Sequence, residues 1–245
     1  MKRNIRTPFF VVNPKAYLYG EGSLALALEA DKLAAEYDVD IFFTAQPCDL
    51  SMIAKATKHL IVTAQHMDGI LPGRGMGSVL PEAIKNAGAE ATFLNHAEHS
   101  LTAGQLVNAV RRAKELDIIV LICVDSPEEA RAIAELHPDI MICEPTSLIG
   151  TGNASDSEYK RLTNDFVRAV SPSTLVVQAA SIRTEKDVYD AILSGADGTG
   201  ATSGIVAAPD PVLAMRSMVK ALVAADKELK ASSSAHMTKD YTVKT

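Results

Sequence analysis

Eight short apolar segments, separated by stretches with helical patterning, constrain the fold of this 245-residue chain most strongly. Their Val, Ile, Leu and Phe residues do not alternate strictly with polar residues, which is typical of parallel strands buried on both faces. The segments are Phe9–Asn13, Ile41–Ala45, Leu60–Gln65, Ala91–Asn95, Ile118–Cys123, Ile140–Cys143, Thr174–Gln178 and Gly198–Ala201.

Signals for helix starts lie between these segments. Ser126-Pro127-Glu128-Glu129 has the spacing of a capping box with proline in the first turn, and Ser155 to Glu158 has the same spacing. Asp210-Pro211 opens a last helix that is predicted to end near Lys230. Alternating strands and helices in a chain of this length predict a single α/β domain, a closed (β/α)8 barrel over residues 1–230.

An open, doubly wound sheet is the alternative architecture. It normally has a glycine-rich turn after its first strand, whereas this chain has Asn13-Pro14-Lys15 there, which favours the barrel. Residues 231–245 are polar and show no apolar face, so they are predicted to form a mobile C-terminal tail.

Composition excludes some classes of partner. The net charge is -6, which argues against a general nucleic-acid or membrane-surface role but allows a local positive site for a small phosphorylated ligand. The chain has no apolar run near the roughly 20 residues that span a bilayer and no signal-peptide pattern, so a cytoplasmic protein is expected. Cys48, Cys123 and Cys143 are widely scattered, which predicts buried thiols rather than disulfides or a metal site.

The segment from Glu144 to Gly152 carries the most specific functional signal. Glu144 follows the apolar run Ile140–Cys143, so it is expected at the carboxyl end of a buried strand. Pro145 fixes the exit from that strand, and Gly150 and Gly152 allow the backbone to turn its amides toward an anion and to move. This arrangement predicts a catalytic base beneath a closing loop.

Other polar residues follow the first and fourth strands. The first strand ends in Asn13-Pro14-Lys15 and the fourth in Asn95-His96-Ala97-Glu98. Alone, such a lysine is usually a solvated charge and such a histidine is often a core residue. The carboxyl ends of barrel strands share one rim, however, so Lys15, His96 and Glu144 are expected to converge there. His66, at another strand end, is predicted to have a structural hydrogen-bonding role.

With these motifs in place, the chain resembles the triosephosphate isomerase family, and in particular its compact archaeal-type branch, from about Phe9 to Lys230. The segments that carry the resemblance are Val11–Lys15, Ala64–Asp68, Val79–Ala83, Asn95–Glu98 and Glu144–Gly152. The resemblance implies proton transfer between adjacent carbons of a small phosphorylated sugar, without a metal or an organic cofactor.

The resemblance also implies residue roles. Glu144 would remove the proton beside the carbonyl, His96 would polarise that carbonyl, and Lys15 would offset the charge of phosphate and enediolate. Asn13 would position the lysine. Glu98 would either orient Lys15 or serve as a buried ion-pair partner.

Phosphate is expected at backbone amides and hydroxyls on the same rim. The candidates are Gly150, Ser181 in the turn after the seventh strand, and Ser203 and Gly204 after the eighth. The family's usual assembly further implies a homodimer or a homotetramer.

Three positions depart from the family's pattern. Alanines occupy the turn Gln178–Arg183 where glycines are usual, Ala97 stands in place of a serine, and Met76 replaces a smaller polar residue in the loop by which subunits commonly complete one another's sites. Two alternatives therefore stay open: an isomerase for a different, for example four-carbon, sugar phosphate, and a non-catalytic phosphate-binding paralogue.

Overall fold

Eight parallel strands form a closed barrel in which strand order follows chain order. The computed structural model describes residues 2–148, 157–179 and 182–239. The strands are β1 (Phe9–Val12), β2 (Ile41–Ala45), β3 (Ile61–Ala64), β4 (Ala91–Leu94), β5 (Ile119–Val124), β6 (Ile140–Cys143), β7 (Leu175–Gln178) and β8 (Gly198–Ala201). The barrel closes where β1 pairs with β8, with Val11 opposite Gly200. The predicted fold is confirmed, and each predicted strand lies within one or two residues of the observed one.

Helices surround the barrel and connect its strands. They are α1 (Gly20–Tyr37), α2 (Leu50–Ala56), α3 (Pro81–Asn86), α4 (Ala103–Glu115), α5 (Pro127–Ala134), α6 (Ser157–Val170), α7 (Glu185–Leu193), the short α8 (Ser203–Val206) and α9 (Pro211–Lys239). The predicted starts of α5 and α9 are confirmed, although only the Ser126 half of the predicted capping box forms. Ser126 accepts a hydrogen bond from the Glu129 amide at 3.1 Å, and Asp210 accepts one from the Leu213 amide at 2.9 Å. The predicted box from Ser155 begins outside the described residues.

The last helix is longer than predicted. α9 continues to Lys239, past the expected end near Lys230. No glycine or proline lies between these two residues, so the sequence offers no stop signal for the helix. α9 packs against α7 and α1.

The strand β8 is built from small residues because its neighbour fills the space. A Cβ atom on Gly198 would lie 2.6 Å from the ring of Phe9, and one on Gly200 would lie 2.5 Å from the carbonyl oxygen of Val11. Phe9 and Val11 belong to the apolar cluster inside the barrel. Side chains of β1 therefore fill the space that the glycines of β8 leave in the interior.

Carboxylates at the amino ends of the strands are paired with cations. Asp40, which is fully buried before β2, accepts bonds from the Arg6 amide at 2.8 Å, from Arg6 Nε at 3.0 Å and from Arg6 Nη2 at 2.6 Å, and Arg3 adds a fourth at 3.3 Å. Before β6, Asp139 accepts from Lys2 Nζ at 2.8 Å and from the Val120 amide at 2.8 Å. The segment that precedes β1 is tied to the barrel by these ion pairs.

The three cysteines are free thiols. Cys123 and Cys143 are buried as predicted, but the prediction is wrong for Cys48, which is exposed in the turn between β2 and α2. This turn faces solvent because it lies outside the apolar periodicity of both neighbouring elements. Among the helices that the structure describes, none is long and apolar enough to cross a membrane.

Candidate active site

A cavity of about 320 Å³ opens at the carboxyl ends of the strands. Side chains that follow β1, β4, β6 and β8 line it together. Among the predicted site residues, the structure places Asn13, Lys15, His96, Glu98, Glu144 and Ser203 around this one cavity. The expected convergence of a cation, an imidazole and a carboxylate is therefore observed.

The backbone of Lys15 is held in an unusual conformation. Its φ angle is 48°, in the left-handed region that side-chain-bearing residues adopt at a cost. Two amide side chains hold it there: Asn13 Oδ1 accepts from the Lys15 amide at 3.0 Å, and Gln65 Nε2 donates to the Lys15 carbonyl at 2.7 Å. Asn13 thus positions the lysine through its backbone, and Gln65 is a second support that the sequence analysis missed.

Glu98 holds the other end of Lys15. Lys15 Nζ lies 2.7 Å from Glu98 Oε1, and the side chains are 16% and 61% exposed respectively. Burial alone would raise the pKa of Glu98, but the hydrogen bond and charge of Lys15 lower it below its ordinary value. The ion pair with Lys15 that one of the two interpretations expected is present, but the Glu98 carboxylate is largely exposed rather than buried.

The geometry around His96 assigns its proton. The Glu98 amide donates to His96 Nδ1 at 3.1 Å, so Nδ1 is an acceptor and the neutral ring carries its proton on Nε2. Burial, and next the charge of Lys15, lower the pKa of His96. The imidazole is therefore neutral near pH 7 and offers an Nε2–H group as a donor.

Glu144 stands immediately after β6. Its amide donates to the Val124 carbonyl at 3.0 Å, which continues the pairing of β6 with β5. No described residue donates a hydrogen bond to its carboxylate. Burial raises the pKa of Glu144 to about 7; the charge of Lys15 opposes this shift and that of Glu98 adds to it. Such a carboxylate accepts a proton more readily than an ordinary one.

The predicted phosphate-binding residues are only partly described. Ser203 begins the short helix α8 and lines the cavity beside Thr202. At Gly204, a Cβ atom would lie 2.8 Å from the Ile182 carbonyl oxygen, so the close approach of these two backbones requires glycine. The other candidates, Gly150 and Ser181, lie outside the described residues, as does Gly152.

A second cavity, of about 220 Å³, adjoins the first, and Lys15, His96 and Glu98 line both. Gln65, His66 and His99 line the second cavity. His66 Nε2 lies 3.3 Å from Asp68 Oδ1, and the rings of His66 and His99 are 4.3 Å apart. His66 has the structural hydrogen bond predicted for it.

Several residues that line the main cavity are not predicted from the sequence. Tyr17 lies in the loop after β1, Cys123 near the end of β5 and Thr202 just after β8. The signal that could have found the last two is their position at strand ends, although Cys123 was interpreted only as a buried thiol. In the described parts of the chain, no group of three His, Cys, Asp or Glu residues could hold a metal ion.

Comparison with known proteins identifies the family. The family model described as triosephosphate isomerase matches residues 8–222. The chain belongs to the triosephosphate isomerase family. It is 34% identical to the triosephosphate isomerase of Methanobacterium bryantii, over 87% of this chain and 96% of that protein. It is 32% identical to that of Sulfurisphaera tokodaii and 33% identical to that of Metallosphaera sedula, each over 91% of this chain and 100% of the relative. The resemblance to the archaeal-type branch of the triosephosphate isomerases is thereby confirmed.

Proposed function

We propose that this enzyme interconverts dihydroxyacetone phosphate and glyceraldehyde 3-phosphate by proton transfer through an enediolate. The observation that carries the proposal is the cavity in which the Glu144 carboxylate, with its pKa near 7, faces a neutral His96 and the cation of Lys15. The names of the relatives favour a three-carbon substrate over the four-carbon alternative, and also favour an enzyme over a non-catalytic paralogue.

Glu144 acts as the base. A general base works best when its pKa lies near the working pH, because it is then ionised yet still basic. Burial brings Glu144 into this range. The carboxylate takes the proton from the carbon beside the carbonyl and returns it to the neighbouring carbon, which converts the ketose into the aldose.

His96 and Lys15 stabilise the charge that develops on oxygen. The Nε2–H group of His96 donates to the substrate oxygen, and the Lys15 ammonium offsets the negative charge of the enediolate and the phosphate. Glu98 keeps Lys15 at the rim through its 2.7 Å ion pair. Asn13 supports the lysine backbone.

The phosphate binds on the side of the cavity formed by β7 and β8. Ser203 and the amides at the start of α8, including that of Gly204, are the described donors in this region. Gly150 and Ser181 complete the set by analogy with the family. The close packing of Gly204 against the segment after β7 supports a shared phosphate site for the two turns.

We further propose that the enzyme is a cytoplasmic homodimer or homotetramer. The side chain of Met76 is fully exposed at the tip of the loop after β3, and Arg112 Nε donates to Ile70 O at 3.1 Å within the same loop. A projecting apolar side chain on an anchored loop supports a role between subunits. The two buried free thiols suit a reducing compartment.

The proposal is tested by following the interconversion in a coupled assay and by measuring deuterium uptake from solvent into sugar phosphates of three, four and five carbons. We expect exchange and turnover with the three-carbon substrates. Exchange confined to a longer sugar phosphate would instead support the altered-substrate alternative, and phosphate-ester binding without any exchange would support the non-catalytic one.

A further inference from the structure

A series of hydrogen bonds runs behind the main cavity and starts at Asn95, the residue before His96. The φ angle of Asn95 is 57°. Its Nδ2 donates to the Cys123 carbonyl at 3.1 Å and to Glu129 Oε1 at 3.2 Å, while its Oδ1 accepts from the Leu101 amide at 3.0 Å. Asn95 thereby closes the loop that carries His96 and ties it to β5 and α5.

Glu129 extends this series toward Glu144. Its second oxygen, Oε2, accepts from the Asp125 amide at 2.7 Å. The Asp125 carboxylate in turn accepts from the amide of Thr146, two residues after Glu144. The Glu129 carboxylate is therefore bonded to Asn95, in the loop that carries His96 (residues 95–101, the His96 loop), and to the amide of Asp125. Asp125 in turn binds Thr146, in the segment that begins at Glu144 (residues 144–146, the Glu144 segment).

These bonds are not those of an ordinary helix cap. In a capping box, the Glu129 side chain would accept from the amide of the capping residue Ser126. Ser126 does accept from the Glu129 amide, but the Glu129 carboxylate is bonded to Asn95 and Asp125 instead. Its two oxygens serve two separate segments, which helix capping does not require.

The same residues surround a cavity of about 240 Å³ next to the main one. Asn95, Asp125, Glu129, Glu144 and Thr146 all line it. Glu129 is thus close to the catalytic groups although it does not line the main cavity. A residue in this place can set the geometry of the groups that react without touching the substrate.

We propose that Glu129 is a positioning residue that fixes the placement of the His96 loop relative to the Glu144 segment. The inference rests on the proposed isomerase function. In this reaction the base and the electrophile must contact adjacent atoms of one substrate. A misplacement of about 1 Å can lower the rate on the order of 100-fold. Binding of the phosphate, at the opposite side of the cavity, does not depend on this series of bonds.

The first test compares Glu129→Gln with Glu128→Gln in the full-length enzyme. Both remove one negative charge from the first turn of α5, but Glu128 is exposed and has no side-chain hydrogen bond to a described residue. We expect Glu129→Gln to lower kcat about tenfold with KM within about twofold, because glutamine replaces one of the two accepting oxygens with an NH2 group, which cannot accept a hydrogen bond. Glu128→Gln should match the unmodified enzyme in both parameters.

A second test asks whether Glu129 acts through Asn95. Asn95→Gly keeps the left-handed backbone accessible and removes only the side-chain bonds. It should lower kcat by a similar factor. The double variant should lose no more than about threefold beyond either single variant, because both changes break the same connection.

The outcomes separate this inference from the proposed function. An unmodified enzyme without isomerase activity would refute the proposed function itself. If the unmodified enzyme is active, equal kcat values for the Glu129→Gln and Glu128→Gln variants would overturn the positioning role, as would a loss confined to KM or to thermal stability. A double variant whose losses multiply would overturn the route through Asn95.

Discussion

The buried carboxylates at the two ends of the barrel differ in their hydrogen bonding. At the amino ends of the strands, the fully buried Asp40 is surrounded by donors from Arg3 and Arg6. At the carboxyl ends, the Glu144 carboxylate is bonded to none of the described residues, and its pKa rises to about 7. One end satisfies its carboxylate within the chain, whereas the other keeps its carboxylate available for a proton.

Left-handed backbone conformations occur at both ends of the barrel. At the carboxyl ends, Lys15 and Asn95 have left-handed φ angles and adjoin the main cavity; at the amino ends, such angles occur at Asp38, Asp117 and His137, before β2, β5 and β6. Such conformations cost free energy and persist only when surrounding bonds enforce them. In a (β/α)8 barrel, residues at the carboxyl ends serve chemistry and those at the amino ends serve stability. Five predictions test this division, from the largest expected effect to the smallest.

Glu144→Gln removes the base and keeps the shape of the side chain. We expect kcat to fall by about 10²- to 10⁴-fold, the range typical of a lost general base. The coupled assay measures this loss, and a circular dichroism spectrum should show that the fold is retained. Activity close to that of the unmodified enzyme would rule out Glu144 as the base.

His96→Gln removes the imidazole donor at the same end. We expect kcat to fall by about 10²- to 10³-fold, as for other donors to a developing oxyanion. His59→Gln is the matched control, because His59 is exposed and lies away from the cavity. Equal activity of the two variants would contradict the role of His96.

Asp40→Asn tests the amino end. The charge that binds Arg3 and Arg6 is lost, so the free energy of unfolding should fall by about 2 kcal/mol while kcat stays unchanged. Urea unfolding and the coupled assay measure the two effects. Asp38→Asn is the control: the Asp38 side chain is 90% exposed, and the change should cost less than about 1 kcal/mol. A loss of kcat in Asp40→Asn would break the division between the two ends.

Glu144→Gln should also stabilise the protein at alkaline pH. The folded-state pKa of Glu144 is raised, so burial of the ionised form weakens the native state as pH rises through the range between the ordinary value and about 7. We expect the variant to gain about 1–3 kcal/mol over the unmodified enzyme at pH 8, and less than about 1 kcal/mol at pH 5. Urea unfolding at both pH values and equal protein concentration measures the difference. A gain that does not depend on pH would assign it to another cause.

The pH dependence of kcat/KM should report the same group. The base must be ionised to accept a proton, so kcat/KM should fall about tenfold per pH unit below about 7 and level off above it. Measuring kcat/KM from pH 5 to pH 8.5 tests this dependence. An enzyme whose kcat/KM is constant across that range would have an ordinary, solvated carboxylate as its base.

Much of the fold was predictable, because a strand that is buried on both faces is a short, largely apolar run in the sequence. The runs Ile41–Ala45 and Ile140–Cys143 are largely apolar and buried at every residue, and their observed ends coincide with the predicted ones. The end of α9 was not predictable, since residues 231–239 continue a helix without an apolar face to mark it. The exposure of Cys48 depends on how its turn faces solvent, which residue type does not reveal.

For the candidate site, the positions of polar residues at strand ends predicted that these residues converge at one rim. The hydrogen bonds between residues far apart in the chain could not be predicted from the sequence. Lys15, His96 and Glu144 follow different strands and meet only because the barrel closes. The support of Lys15 by Gln65 joins residues 50 positions apart. The bonds of the Glu129 carboxylate likewise follow from the approach of two loops, whereas the sequence suggested only a helix cap.

The bond that fixes the proton of His96 comes from a main-chain amide, that of Glu98. Nineteen of the twenty amino acids supply this amide, so almost any substitution at position 98 leaves the tautomer intact even when it removes the ion pair with Lys15. The tautomer of the His96 ring is thus determined by the backbone conformation of the segment from His96 to Glu98. A substitution that removes the charge beside Lys15 therefore leaves Nε2 of His96 as the nitrogen that carries the proton.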